Sequence, residues 1–312
     1  MVNADSIKTT LLLAANQLKA QGFETESTKL EAQLLLQHAL NVNRAWLVAH
    51  EHENLPPSIH AAYRAIVQRR INGEPIAYIL GYREFYGLKL KVSADTLIPR
   101  PDTETLVDAA LAKIPSLLSF RRKSESSGVE LLSKKTLDSD FCRNDGFRVL
   151  DLGTGSGAIA LAIAKHRPQV IVTATDISQA ALNVAIENAE NLQIANVKFV
   201  LSDWFSALKN EKFDVIVSNP PYIEANDIHL TQGDLRFEPL SALASGHDGL
   251  ADIGQIIQVA PQHLKSHGYL MLEHGYNQAH AVAALLKKTG FCQIETLKDL
   301  GGNLRVTIGQ MA

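Results

Sequence analysis

A side-chain amide, two prolines and an aromatic stand where a buried strand should end. Phe213-Asp214-Val215-Ile216-Val217 is a short apolar run that reads as a strand, and Ser218-Asn219-Pro220-Pro221-Tyr222 follows it. The prolines lack an N–H, fix their own φ and push their predecessors into extended backbone. Asn219 and Pro220 are therefore held extended, with oxygens that no local helix or ladder satisfies. A primary amide, or the exocyclic amine of adenine, offers two N–H donors. The Asn219 side-chain oxygen and the Pro220 carbonyl can each accept one, while Tyr222 lies against the flat face of the acceptor. Accepting both protons fixes a weakly nucleophilic nitrogen and raises its electron density for attack on an electrophile held in line. Positioning and electrostatics carry such a step, without a strong base. Taken alone, the same four residues also suit a plain proline turn after a strand.

The preceding strand ends favour the chemical reading. Val149-Leu150-Asp151-Leu152 runs into Gly153-Thr154-Gly155-Ser156-Gly157. Glycines let the backbone turn sharply and a ligand approach it closely. The Gly-x-Gly-x-Gly spacing is not the dinucleotide fingerprint, and no lysine follows as in a phosphate-gripping loop. Asp176 closes the next strand, where a carboxylate can accept both ribose hydroxyls. Ser202-Asp203-Trp204 closes the third strand and is placed for an adenine ring; Asn219 closes the fourth. A helix N-cap explains Asp176 or Asp203 singly, but not the whole series along one sheet edge. A nucleoside site without a phosphate grip, beside a site for a poor nitrogen nucleophile, implies S-adenosylmethionine and methyl transfer to an amide or exocyclic amine nitrogen.

The elements that must position these residues follow from periodicity. Apolar residues at helical spacing fill 5–21; Thr28 and Glu31 form a capping-box pattern; Pro57 to Gly73 is a proline-first, glycine-last helix. Residues 1–75 are thus a helical domain and 76–98 a β-hairpin linker. A helix spans about Asp102 to Ile114. The segment 119–146, rich in Ser and mixed charge and including Arg121-Arg122-Lys123, reads as a flexible insert. Strands at 147–151, 170–175, 197–202, 213–218, 268–273, 291–297 and 303–309 alternate with helices at 157–166, 178–192, 250–266 and 277–289. The expectation for 99–312 is an α/β, seven-stranded, Rossmann-like sheet, mainly parallel, with its last two strands antiparallel. His263 and His267 are four apart but lack a third ligand. Glu273-His274-Gly275 ends a further strand without an evident role.

Composition narrows the setting. The 312 residues are 46% hydrophobic and 20% charged, with a net charge of −3. That balance argues against direct nucleic-acid binding, for which a basic excess is usual. Cys142 and Cys292 lack metal spacing, Met1 to Thr10 carries no apolar signal core, and no apolar run approaches the ~20 residues of a membrane span. A cytoplasmic, monomeric enzyme without a metal or membrane attachment is expected.

The chain resembles the HemK/PrmC-type methyltransferases that modify peptide chain release factors. The resemblance runs through Gly73 to Gly81, Leu97-Ile98-Pro99-Arg100-Pro101-Asp102-Thr103-Glu104, Asp151 to Gly157, Ser202 to Ala207, Ser218 to Ile223, Arg236-Phe237-Glu238-Pro239-Leu240 and Leu300 to Gly309. Only about 119–146 departs from the pattern. It implies a class I methyltransferase that transfers a methyl group to N5 of the glutamine in a Gly-Gly-Gln loop. It implies cofactor contacts at Gly153, Thr154, Gly155, Ser156, Gly157, Asp176, Trp204 and Asn219, to which the reading of the third strand end adds Asp203. It implies that Asn219, Pro220, Pro221 and Tyr222 hold the glutamine, with Asn219, Pro220 and Tyr222 catalytic, and that the helical domain docks the release factor. The motif chemistry by itself also fits an adenine-N6 methyltransferase, and cofactor binding alone would fit a regulator.

Overall fold

The computed structural model describes residues 6–115 and 146–312. Apart from Gly146, the segment read as an insert lies outside the described residues. The chain divides into two compact units. One ends at Arg83 and takes in Thr231–Phe237; the other begins at Glu84 and holds the rest.

The first unit is helical. Helix α1 (Ile7–Ala20) is capped by Ser6, whose hydroxyl accepts the Thr9 amide, and buries Ile7, Ala14, Ala15 and Leu18. Helix α2 (Thr25–Leu40) starts a turn before the expected capping box. Thr28 instead donates its hydroxyl back to the Thr25 carbonyl at 3.0 Å, and Glu31 pairs with Arg70 at 2.8 Å, so neither serves as a cap. Helix α3 (Arg44–Ala49), capped by Asn43, is too short to show a period in sequence. Helix α4 (Pro57–Ile71) begins on its proline, and buried Tyr63 donates to the Ala32 carbonyl at 3.0 Å. Arg70 also pairs with Asp234 at 2.9 Å, which ties Thr231–Phe237 into this unit. Residues Ile76–Leu80 form helix α5 rather than the start of the expected hairpin. Pro75 stands before it and Gly81, at φ +76°, ends it. The hairpin itself is confined to β1 (Tyr82–Phe85) and β2 (Leu88–Lys91).

The second unit is a doubly wound α/β layer. Helix α6 (Glu104–Lys113) leads to β3 (Arg148–Leu152), α7 (Ala158–His166), β4 (Ile171–Asp176), α8 (Gln179–Asn191), β5 (Val197–Leu201) and β6 (Phe213–Ser218). Helix α9 (Ala251–Val259), β7 (Leu264–Glu273), α10 (Ala279–Lys288), β8 (Cys292–Lys298) and β9 (Leu304–Gln310) complete it. The sheet order is β5-β4-β3-β6-β7-β9-β8, parallel except for β9, which is antiparallel to both neighbours. The helix expected over 250–266 is shorter, because Pro261 cannot donate to its continuation. A 3₁₀ turn takes Ala260–Gln262, and the strand starts at once, at Leu264.

Two-residue alternation sends neighbouring side chains to opposite faces. Val149, Val215, Val217 and Met271 pack against α6 and α7; Leu150, Leu152, Ile216 and Leu270 pack against α9 and α10. Both faces are therefore dry. Polar residues emerge where the strands run out, and that edge carries the site.

Candidate active site

Strand register places the chemistry. Leu152 of β3 pairs with Thr175 of β4 and with Ser218 of β6, and Ser218 pairs with Leu272 of β7. The next residues along the edge are thus Asp176, Gly153, Asn219 and Glu273. The chain leaves β3 and β6 at the point where strand order reverses, the crevice in which open α/β sheets bind ligands.

A cavity of about 500 Å³ opens there. Gly153, Gly155, Asp176, Asp203 and Trp204 line one side, and Asn219, Pro221 and the loop carrying Asp95, Thr96 and Leu97 line the other. The glycines are required by backbone shape: Gly153, Gly155 and Gly157 have φ of +71°, +56° and +84°. Asp176 Oδ2 accepts the Gly155 amide at 2.8 Å and Oδ1 accepts the Ser178 amide at 2.9 Å. The carboxylate thereby pins the turn, and each oxygen keeps a lone pair for a ligand hydroxyl. Burial raises its pKa, against the backbone amides that favour its charged form. Thr154, Ser156 and Gly157 support the turn from behind instead of lining the cavity. The Thr154 hydroxyl donates to Asp151 Oδ2 at 2.6 Å, and the Ser156 carbonyl accepts Asn188 Nδ2 at 2.9 Å. A Cβ on Gly157 would crowd Leu161 and Ala185.

The Asn-Pro-Pro-Tyr loop is held from several sides. The Ser218 hydroxyl donates to the Leu152 carbonyl at 2.7 Å. Asn219 Nδ2 donates to Thr103 Oγ1 at 3.1 Å. The Tyr222 hydroxyl donates to Glu273 Oε1 at 3.3 Å, so the ring is anchored at its polar end. Burial and the Glu273 charge hold that phenol protonated, well above its ordinary range. Ile223 exchanges backbone hydrogen bonds of 2.9 Å with Leu243 and Ser245, which brings Ser241, Ala242 and Ala244 to the cavity wall. Glu238, fully buried, accepts the Ile98 amide at 2.9 Å and pairs with Arg100.

Residues 122–298 match the family described as Methyltransferase small domain, and residues 10–81 match the PrmC N-terminal domain. The chain is 45% identical to the release factor glutamine methyltransferase of Salmonella typhimurium, over 95% of this chain and 96% of that one. It is 42% identical to the enzyme of that name from Escherichia coli, with the same coverage of both chains. The chain belongs to the release factor glutamine methyltransferase family. A solved protein-(glutamine-N5) methyltransferase (release factor-specific) from Alicyclobacillus acidocaldarius shares 30% identity over 71% of this chain and 99% of its own, with a TM-score of 0.37.

For a release factor glutamine methyltransferase the seven-stranded unit is the class I methyltransferase sheet. Of the residues singled out in sequence, Gly153, Gly155, Asp176, Asp203, Trp204, Asn219 and Pro221 meet around the cavity. Pro220 and Tyr222 stand in the same loop off its wall. Thr103 was legible only as part of a motif, and Glu273 only as a strand end; the contacts of Thr103 with Asn219 and of Glu273 with Tyr222 are tertiary. His263 is stacked on Phe205 with ring centroids 4.7 Å apart, and His267 sits at φ +62° where the register of β7 with β6 shifts; neither lines the cavity.

Proposed function

We infer that the protein methylates the side-chain amide nitrogen, N5, of the glutamine in the Gly-Gly-Gln loop of peptide chain release factors, with S-adenosylmethionine as donor. The observation that carries this reading is the committed Asn219 amide. Its Nδ2 is spent on Thr103, so Oδ1 is the atom left to accept an N–H of a substrate amide, with the adjacent Pro220 carbonyl as second acceptor. The cavity residues suit the cofactor. Asp176 would take the ribose, Trp204 and Asp203 the adenine end, and the Gly153–Gly155 turn admits close backbone approach. Asp95, Asp176, Asp203 and Asp252 give the lining four carboxylates, which complement a cation. Bound there, S-adenosylmethionine would supply an electrophilic methyl group to the amide nitrogen, with S-adenosylhomocysteine as the leaving group and one N–H proton given up to solvent. Asn219 and Pro220 orient both N–H groups, and the prolines keep those acceptors fixed without reorganisation.

On the same reading the helical unit, which matches the PrmC N-terminal domain, would dock the release factor, and the protein would act in the cytoplasm. The test is methyl transfer from labelled cofactor to an intact release factor. The methyl should appear on the Gly-Gly-Gln glutamine and vanish when that glutamine is changed to glutamate, which lacks the nitrogen. A free Gly-Gly-Gln peptide should react poorly. Methyl found on adenine, with the release factor unmodified, would replace this reading with a nucleic-acid enzyme.

A further inference from the structure

Three residues link the motif loop to β9. Asn219 Nδ2 donates to Thr103 Oγ1 at 3.1 Å, and Thr103, itself buried, ends the 3₁₀ turn Pro101–Thr103 that leads into α6. A turn of three residues is poorly hydrogen-bonded and cannot set its own orientation. The residue before Thr103 supplies an external hold: Asp102 Oδ2 stands 3.1 Å from Nη2 of Arg305, on β9. The other guanidinium nitrogens are occupied as well. Nε donates to Asp299 Oδ2 at 3.2 Å, and Nη1 donates to the His274 carbonyl at 3.4 Å. Asp299 is in turn built into the β8–β9 turn, where its Oδ1 accepts the Asn303 amide at 2.9 Å and its side chain is 1% exposed. Arg305 is therefore seated from behind and presents Nη2 to Asp102 from a fixed platform.

We propose that Arg305 and Asp102 are positioning residues of the methyl-acceptor site: their ion pair fixes the Pro101–Thr103 turn and so holds Thr103 where it steadies the Asn219 amide. The inference deepens the methyltransferase reading and rests on it for its kinetic consequences. The prolines fix the backbone of the motif loop but not the side chain of Asn219, whose terminal torsion is broad. That side chain takes its direction from Thr103. A turn displaced by about 1 Å would let the amide rotate and carry its oxygen away from the substrate N–H. Misplacement on that scale costs up to about a hundredfold in rate.

Exposure separates this role from a structural one. The Asp102 side chain is 46% exposed and that of Arg305 12%. An ion pair with one partner so open to water contributes little to stability. The buried side of the cluster serves the fold instead: Asp299 still balances the guanidinium when Asp102 is removed. A third carboxylate, Glu273, feels the same guanidinium, but burial lifts its pKa to about 7. Asp102 and Asp299, in ion-pair contact, are thus the carboxylates that balance Arg305 at neutral pH. Loss of Asp102 should accordingly show in turnover far more than in melting.

The experiment compares Asp102→Ala, Asp102→Glu and Arg305→Lys in the full chain. Asp102→Ala should lower turnover at least about tenfold, with the melting temperature nearly unchanged and cofactor affinity by calorimetry within about twofold. Asp102→Glu keeps the carboxylate and should recover to within about threefold. Arg305→Lys keeps the charge but not the three-nitrogen geometry, so it should be impaired. Its loss should add little to that of Asp102→Ala in the double variant, because both remove one interaction. Native turnover in Asp102→Ala, turnover lost only together with the fold, or fully additive losses overturn the proposal. A second readout needs no substrate. The Asn219 side-chain amide signal in ¹⁵N spectra, assigned against Asn219→Ala, should shift in Asp102→Ala and keep its native position in Asp102→Glu. An unmoved signal in Asp102→Ala overturns the proposal even if the release factor proves not to be the substrate. Failure of the native enzyme to methylate the release factor would count against the proposed function alone.

Discussion

Gly249 lies against the backbone of Tyr222 so closely that a Cβ built on it would stand 2.2 Å from the Tyr222 carbonyl oxygen. The same carbonyl accepts Gln278 Nε2 at 3.0 Å, and Gln278 Oε1 accepts the Gly275 amide at 2.8 Å. The last residue of the motif is thus clamped between a glycine with no side chain and a buried glutamine. Gly249 also sits at φ +71°, where a side chain is strained.

Gly249→Ala should therefore lose stability from two sources, strained backbone and the displaced Tyr222 carbonyl. Gly290 provides the comparison, since it has φ +95° and open space where its Cβ would be. Gly290→Ala should cost about 1 kcal/mol and leave turnover intact, whereas Gly249→Ala should cost more, about 2–4 kcal/mol, and depress turnover. Urea melts and initial rates on the two variants decide it. Equal losses would show that the motif loop yields easily.

Asp176 pins the glycine turn and, on the proposed reading, also holds the cofactor ribose, so its replacement should show in both. Asp176→Ala removes the acceptor for the Gly155 and Ser178 amides and, on that reading, the cofactor contact. Cofactor affinity should fall by about 1.5–3 kcal/mol, the scale of hydrogen bonds to a charged group. Turnover at saturating cofactor should fall much less, because the carboxylate lies away from the acceptor amide and contributes equally before and during reaction. Calorimetry showing unchanged affinity would remove Asp176 from the cofactor site.

Much of the sheet edge was readable because a dry strand ends abruptly in sequence. Apolar runs gave way to Gly153, Asp176, Asp203 and Asn219, and the connections between them were short. The short apolar run Ile76–Leu80 was not readable in that way. Five apolar residues fit either a helix or a strand, and only Pro75 and Gly81 at its ends point to the helix. Thr103 and Glu273 fall outside any local rule. Thr103 is 116 positions from Asn219, and nothing in Glu273-His274-Gly275 shows that the carboxylate is buried beside it. Only the pairing of Ser218 with Leu272 does.

Asp151 makes stability depend on pH. It is fully buried, and burial lifts its pKa to about 7 against the Thr154 and Ala160 hydrogen bonds, with Asp176 adding to the rise. In the unfolded chain the same group loses its proton near the ordinary value of about 4. Between those values the unfolded chain binds fewer protons than the native one, so stability falls as pH rises, and the loss is complete above about 7. Glu273 acts in the same direction. Asp151→Asn, which does not ionise, should show a shallower decline in melting temperature between about pH 5 and pH 8 than the native protein. Parallel curves would mean that Asp151 is already ionised in the fold.

Glu238 joins two motif segments 138 positions apart: its carboxylate accepts the Ile98 amide and pairs with the Arg100 guanidinium. The side chain has no exposed surface, whereas that of Arg100 is about one-third exposed. Removal of the buried partner therefore leaves a backbone N–H without its acceptor and a cation without its counter-ion. Glu238→Ala should cost about 3–5 kcal/mol, and the more conservative Glu238→Gln, which can still accept from Ile98, about half of that. The effect should reach the ligand as well. Ile98 follows the cavity residues Thr96 and Leu97, and Pro239 beside Glu238 lines the cavity itself. Cofactor affinity in Glu238→Gln should fall several-fold while the protein remains folded. Restoration of affinity by the paired change Arg100→Met with Glu238→Gln, which removes the stranded charge, would separate the electrostatic cost from the lost backbone contact. Native affinity in a folded Glu238→Gln protein would show that the wall of the cavity keeps its shape without this clamp.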